Sequence, residues 1–177
     1  MIFTPTPLPG VFVVETEKHA DERGYFARTW CAREFAEHGI DVPLVQSSIS
    51  FNRQRGTLRG MHVDGPPCEE VKLVRCTRGA LFDVAIDLRR QSPAYRKHVA
   101  VTLTPDDANM LYIPAGCAHG FITLTHDTEV CYLMSPFYVP GPTRGVRWND
   151  PAFGIEWPIP VAVISRRDAS YPDYGDE

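Results

Sequence analysis

The sequence has no apolar run long enough to cross a bilayer, no CxxC pair and no surplus of positive charge. Each absence removes a class of function. A transmembrane helix needs about 20 consecutive apolar residues, and none is present. The opening MIFTPTPLPGVFVVE lacks the basic start and apolar centre of a signal peptide, so a cytoplasmic protein is expected. Cys31, Cys68, Cys76, Cys117 and Cys131 are odd in number and unpaired by spacing. Reduced thiols are expected, and a structural zinc is not. A formal net charge of −4 argues against sequence-independent binding of nucleic acid, which needs an excess of Lys and Arg. It leaves room for a local arginine cluster around one small anion. Helix signal is scarce as well. Only Ala32–His38, AREFAEH, reads as helical, with Gly39 placed to end it.

What is present is a rhythm of strands and turns. ALFDVAIDLR alternates, setting Phe82, Val84, Ile86 and Leu88 on one face. HVAVTL repeats the pattern through Val99, Val101 and Leu103. EVCYLM sets Val130, Tyr132 and Met134 on one side, with Cys131 and Leu133 on the other. Turns stand between them at Gly65-Pro66-Pro67, Arg78-Gly79, Ser92-Pro93, Thr104–Asp107 and Pro114–Gly116. At 177 residues, with 44% apolar and 23% charged residues, the chain reads as one globular domain over 1–177. Many short strands at this spacing predict an all-β sandwich or barrel, of which a jelly roll is one form.

The chemistry gathers in LRGMHVDGPPCEEVKLVRCTRG. His62, Asp64, Glu69 or Glu70, and later His119 of PAGCAH, imitate the two-motif metal site of jelly rolls, where two histidines and a carboxylate suit iron, manganese or zinc. Asp64 stands where the second histidine of such a motif belongs, and the PxGxxH stretch is also an ordinary turn. The alternative for His62 is proton transfer, with a carboxylate such as Asp168 fixing its tautomer. Tyr132 is either a proton donor on a sheet face or a core aromatic with a satisfied hydroxyl. Lys72, between apolar neighbours in EVKLVRC, either snorkels to solvent or meets an anion in a cavity. Arg23, Arg59 and Arg167 are candidate forks for phosphate, and each alone is also a plain surface arginine. Strict alternation from Arg59 sends His62 to the opposite face, and a bulge at Gly60 returns it to the same one.

These residues sit in segments that resemble one family. DERGYF, LRGMH, VKLVRCTRGALFDVAIDLRRQSP, LYIPAGCAHGFITL, EVCY, WNDPAFGIEWP and ISRRD stand in the order seen in the dTDP-4-dehydrorhamnose 3,5-epimerase family. They cover the chain from about Asp21 to Asp168. The resemblance implies a cupin-type antiparallel jelly roll with minor short helices, no metal or other cofactor, and a homodimer that shares strands. It implies His62 as catalytic base, Asp168 as its partner, Tyr132 as the acid and Lys72 as the cation on the enolate oxygen. It implies a substrate-binding set of Arg23, Phe26, Arg28, Gln46, Ser48, Arg59, His119, Tyr138, Thr143 and Arg167. Of these, the arginines Arg23 and Arg59 turn towards a diphosphate and Tyr138 stacks on the nucleotide base.

Four positions depart from the family pattern: Ser48 for asparagine, Arg28 and Thr143 for glutamates, and Asp64 for glutamine. The first three fall among nucleotide-binding positions, while the acid–base set is whole. The expected activity is inversion of carbon 3, carbon 5 or both in a nucleotide-diphosphate-linked 4-keto-6-deoxysugar or related keto-sugar. Two rivals stand beside it. One is a metal-dependent cupin enzyme using His62, Asp64, Glu70 and His119. The other is a non-catalytic sugar-nucleotide binding protein, which has no need of an acid and a base together.

Overall fold

Turn residues divide the chain into short strands, and the computed structural model describes residues 1–64, 70–137 and 144–175. In chain order these hold β1 (Ile2–Pro5), β2 (Phe12–Glu15), β3 (His19–Asp21), β4 (Gly24–Phe26), α1 (Ala32–Ala36), β5 (Gln46–Asn52), β6 (Thr57–Val63) and β7 (Val71–Arg78). Then follow β8 (Leu81–Asp87), β9 (His98–Leu103), β10 (Asn109–Ile113), β11 (Cys117–Thr123), β12 (Thr128–Ser135), β13 (Arg144–Gly145), β14 (Val163–Ile164) and α2 (Arg166–Ala169). One sheet runs β1-β2-β10-β7-β12-β5 and the other β13-β6-β11-β8-β9, with β14 also along β6. The β3–β4 hairpin stands outside both sheets. The pairings are antiparallel except that of β14 with β6. This is the all-β jelly roll expected from the strand-and-turn rhythm.

Period-two alternation decides what each sheet shows to the other. Val74, Cys76, Leu111, Ile113 and Val130 of the first sheet meet Leu81, Ala85, Leu103 and Phe121 of the second in one buried cluster. Fully burying side chains of this size contributes about 1.5–3 kcal/mol apiece. The outer faces are covered in part as well. Phe35 of α1 packs on Leu73, Met110 and Tyr112, and Phe153 and Val146 close over Val84 and Ile86. The set Phe82, Val84, Ile86 and Leu88 therefore belongs to the outer cluster, and the inner face of β8 is its other set: Leu81, Asp83, Ala85 and Asp87. Both faces are buried, so alternation alone does not single out the inner one.

Two short helices differ from expectation. The helix at Ala32 stops at Ala36, short of His38, with Glu37 as its cap. Gly39, at φ +76°, then donates its N–H to the Ala36 carbonyl at 3.0 Å and turns the chain back. Helix α2 arises in the polar tail SRRDAS. Ser165 caps it by accepting the Asp168 N–H at 3.0 Å, and Asp168 is only 3% exposed.

Candidate active site

A bulge places the first two site residues together. On β11, His119 and Phe121 are two residues apart and share a face, the inner one. Their partners on β6 are His62 and Arg59, which are three apart, so β6 carries one extra residue at Gly60–Met61. Arg59 and His62 thus come to one side, as a bulge at Gly60 predicts. Gly60 has φ +123°, and a Cβ there would lie 2.5 Å from the Gly120 Cα. The crossing works because both residues are glycine.

The same reasoning aims the facing sheet. Val74 and Cys76 of β7 point inward, so Lys72, two residues before Val74, does too. It is nearly buried, at 9% exposure, and its ammonium pairs with Glu70. Tyr132 stands beside Val74 and opposite Ser48, and Met134 stands between Lys72 and Gln46. Gln46, Ser48, Lys72 and Tyr132 therefore share the inner face of the first sheet. The Tyr132 ring meets that of His119 edge-on, at 6.3 Å between centroids. Burial pushes its phenol pKa strongly up, so the hydroxyl stays protonated and can donate.

Helix α2 supplies the carboxylate. Asp168 Oδ1 accepts from His62 Nε2–H at 2.9 Å, and Asp168 Oδ2 accepts from the Gly60 N–H at 3.2 Å. The proton sits on Nε2, because an ionised carboxylate only accepts, and Nδ1 is left as the free lone pair. Arg167 donates its Nε–H to Asp168 Oδ1 at 3.2 Å, and its guanidinium lies 3.3 Å from His62 Nε2. Burial lowers the His62 pKa, and the bond and charge of Asp168 offset part of that. Burial would raise Asp168, but its bonds to His62, Gly60 and Arg167 outweigh it and hold the carboxyl below the usual range. A neutral histidine backed by an ionised aspartate is a general base ready at neutral pH.

Several supporting residues were not foreseen. Asp83 of β8 is fully buried, with Oδ1 2.7 Å from His119 Nε2 and Oδ2 without a partner among the described residues. Burial raises its pKa, against the pull of His119 and Lys72. Its signal was a lone carboxylate between Leu81 and Ala85. Asn52 Oδ1 accepts from Arg59 Nε at 2.8 Å and fixes that guanidinium. Glu70, considered as a metal ligand, instead neutralises Lys72, and Asp64 beside it is raised by burial and by the Glu70 charge. Among the described residues no group of three or more His, Cys, Asp or Glu side chains is arranged to hold a metal ion.

One part of the implied set stays apart within the chain. Arg23 pairs with Asp21, and Arg28 pairs with Glu34 at 2.7 Å. Phe26 is 73% exposed and lines a cavity of about 350 Å³ with Tyr25, Arg75 and Met110, outside the first sheet. Tyr138 and Thr143 lie outside the described residues.

Two facing sheets with a hydrogen-bonded histidine–aspartate pair on one and a buried phenol and ammonium on the other make a jelly roll that carries proton-transfer groups on both inner faces. Relatives agree. The pattern for dTDP-4-dehydrorhamnose 3,5-epimerase matches residues 5–176. A dTDP-4-dehydrorhamnose 3,5-epimerase of Sinorhizobium fredii is 43% identical over 173 residues, covering 97% of this chain and 89% of its own. The crystal structure of the Bacillus anthracis dTDP-4-dehydrorhamnose 3,5-epimerase with TDP and PPi bound superposes with a TM-score of 0.94. It is 31% identical, covering 98% of this chain and 99% of its own. A 3'-monoepimerase from Streptomyces bikiniensis, in complex with dTDP-quinovose, superposes at 0.86 with 32% identity, over 96% of this chain and 86% of its own. The chain belongs to the dTDP-4-dehydrorhamnose 3,5-epimerase family. It is an epimerase, and so an isomerase.

Proposed function

We propose that the chain, as a single domain over 1–177, inverts carbon 3, carbon 5 or both of a nucleotide-diphosphate-linked 4-keto-6-deoxysugar. The ketone at carbon 4 acidifies the hydrogens on its neighbours. His62 Nδ1 takes one of them, and the electron pair moves to the carbonyl oxygen. Lys72 faces that oxygen and stabilises the enolate charge. Tyr132 then delivers its hydroxyl proton to the carbon from the opposite face, and the carbonyl re-forms with inverted configuration. The phenolate left behind recovers a proton from solvent as His62 releases its own, so the cycle needs neither redox nor metal chemistry. Arg59 turns to the diphosphate, Arg167 and His119 line the substrate, and that positioning lowers the barrier by keeping the sugar in register.

The observation that carries this reading is the opposition of His62 and Tyr132 on facing sheets, with Lys72 on the inner face beside the phenol. Gln46 and Ser48 continue the same inner face and are assigned to the nucleotide. Relatives are named for dTDP sugars, and one of them inverts carbon 3 alone. Ser48 and Arg28 stand at nucleotide-binding positions with unfamiliar chemistry, so the accepted base is decided by experiment. A cytoplasmic setting fits the free thiols of Cys31, Cys76, Cys117 and Cys131.

The test is hydrogen–deuterium exchange in heavy water over a panel of nucleotide-linked 4-keto sugars, dTDP sugars first. Deuterium at carbon 3, carbon 5 or both, with inverted product, is expected. His62→Asn should bind substrate and lose turnover by ~10²–10⁴-fold, the usual contribution of a general base. Near-normal exchange by that variant would remove His62 from the role.

A further inference from the structure

Tyr171 follows Asp168 by three residues, and the reaction scheme above gives it no part. Its position is nevertheless tightly set. Gly145 of β13 lies directly opposite His62 of β6, and residues so paired project to one face. A Cβ on Gly145 would stand 2.4 Å from Cε2 and Cζ of the Tyr171 ring. The ring therefore fills the space that a side chain at 145 would take, next to His62. It meets the imidazole edge-on, with centroids 6.4 Å apart and planes at 76°. One short segment thus delivers both the carboxylate that orients the base and an aromatic wall beside it.

We propose that Tyr171 is a positioning residue for the base: its ring closes one side of the His62 imidazole off from water. The ring and not the hydroxyl does this, because the Tyr171 hydroxyl is buried and has no partner among the described residues. An unpaired buried hydroxyl costs stability, so it is not what anchors the side chain. The groups facing His62 are Asp168 and Arg167 from α2, His119 from β11, Asp64 just past the end of its own strand, and Tyr171. Tyr171 acts on it by excluding water and not by charge. The His62 side chain keeps 26% of its surface, the part left for substrate. Burial is the largest influence on its titration, and it favours the neutral form that a base requires. This proposal rests on His62 being the base, but its test does not.

The experiment follows the His62 Cε1 proton by NMR across pH in the substrate-free protein, with His62→Asn assigning the resonance. Tyr171→Ala is expected to move the titration up, towards the ordinary histidine value of about 6.5. Tyr171→Phe keeps the ring and should leave it in place. The acid limb of kcat/KM should move in parallel. Should Tyr171→Ala not fold, Tyr171→Leu, which leaves part of the cover, should give a smaller upward move. An unmoved titration in the folded Ala or Leu variant overturns the proposal, and so does an equal move in Tyr171→Phe. A lower melting temperature with unchanged titration would mean that the ring only packs. A protein that turns over none of the sugars would sink the epimerase reading and leave this measurement intact.

Discussion

In the proposed reaction, Tyr132 is the residue on which epimerisation, as opposed to simple enolisation, turns. A single base on one face returns the proton it removed, and inversion needs a second proton from the other face. The buried phenol is neutral and stands on the sheet opposite His62. Tyr132→Phe keeps the ring against His119 and deletes the proton. The expected outcome is solvent exchange at the substrate carbon through His62 and Lys72, with little inverted product. Exchange and inversion should be followed on one sample in heavy water. Inversion persisting at the wild-type ratio to exchange would place the reprotonating group elsewhere, and loss of both would mean that Tyr132 acts before the enolate forms. At this scale the sequence singled out His62, Lys72 and Tyr132 by residue type, and the structure turns all three to the inner faces. Its sign of Asp83 was faint, a lone carboxylate between Leu81 and Ala85, because a buried aspartate and an exposed one look alike until the inner face of β8 is known.

Elements decide whether such residues meet. The bulge on β6 was legible, since Gly60 sits where alternation must slip for Arg59 and His62 to share a face. Helix α2 was not: four residues leave no periodic pattern, and its only sign is Ser165 placed to cap at Asp168. That cap aims the Asp168 carboxylate at His62 and the Gly60 N–H together. The carboxyl is held below its ordinary value, so its contribution to folding is complete above about pH 4 and lost as pH falls through its folded-state pKa. For His62 the sign runs the other way with respect to charge, since Asp168 favours the protonated form against burial. Asp168→Asn removes that support. The His62 titration, and with it the acid limb of kcat/KM, should shift to lower pH, while the plateau rate falls less than in His62→Asn because Asp168 orients the base and carries no proton. A pH–rate profile of the variant checks both. An acid limb moving upward would show that Asp168 does not act on His62 as an anion.

For the whole molecule the open matter is where Arg23, Phe26 and Arg28 act. Within one chain they lie on a projecting hairpin and the segment after it, outside the first sheet, while His62 and Tyr132 face inward. The outer face of that sheet is unfinished. β5 is an edge strand, and edge strands offer unpaired backbone to a partner. Its outward side chains Ile49 and Phe51 are 65% and 44% exposed, and a cavity of about 250 Å³ lies nearby, lined by Leu73, Arg75, Cys131 and Leu133. Exposed Tyr25 and Phe26 on the hairpin add to this apolar surface. A second copy would cover it, and the hairpin would reach across to serve the neighbouring site, in keeping with the strand-sharing homodimer that the family resemblance implies. Sedimentation should therefore give a homodimer at assay concentrations. Ile49→Asp combined with Phe51→Asp should shift it to monomer, because each change puts a charge where apolar surface must be buried. If the hairpin acts in trans, that monomer should lose substrate affinity and turnover with His62, Lys72 and Tyr132 untouched. A stable wild-type monomer of full activity would exclude the exchange and return Arg23, Phe26 and Arg28 to the surface of their own chain.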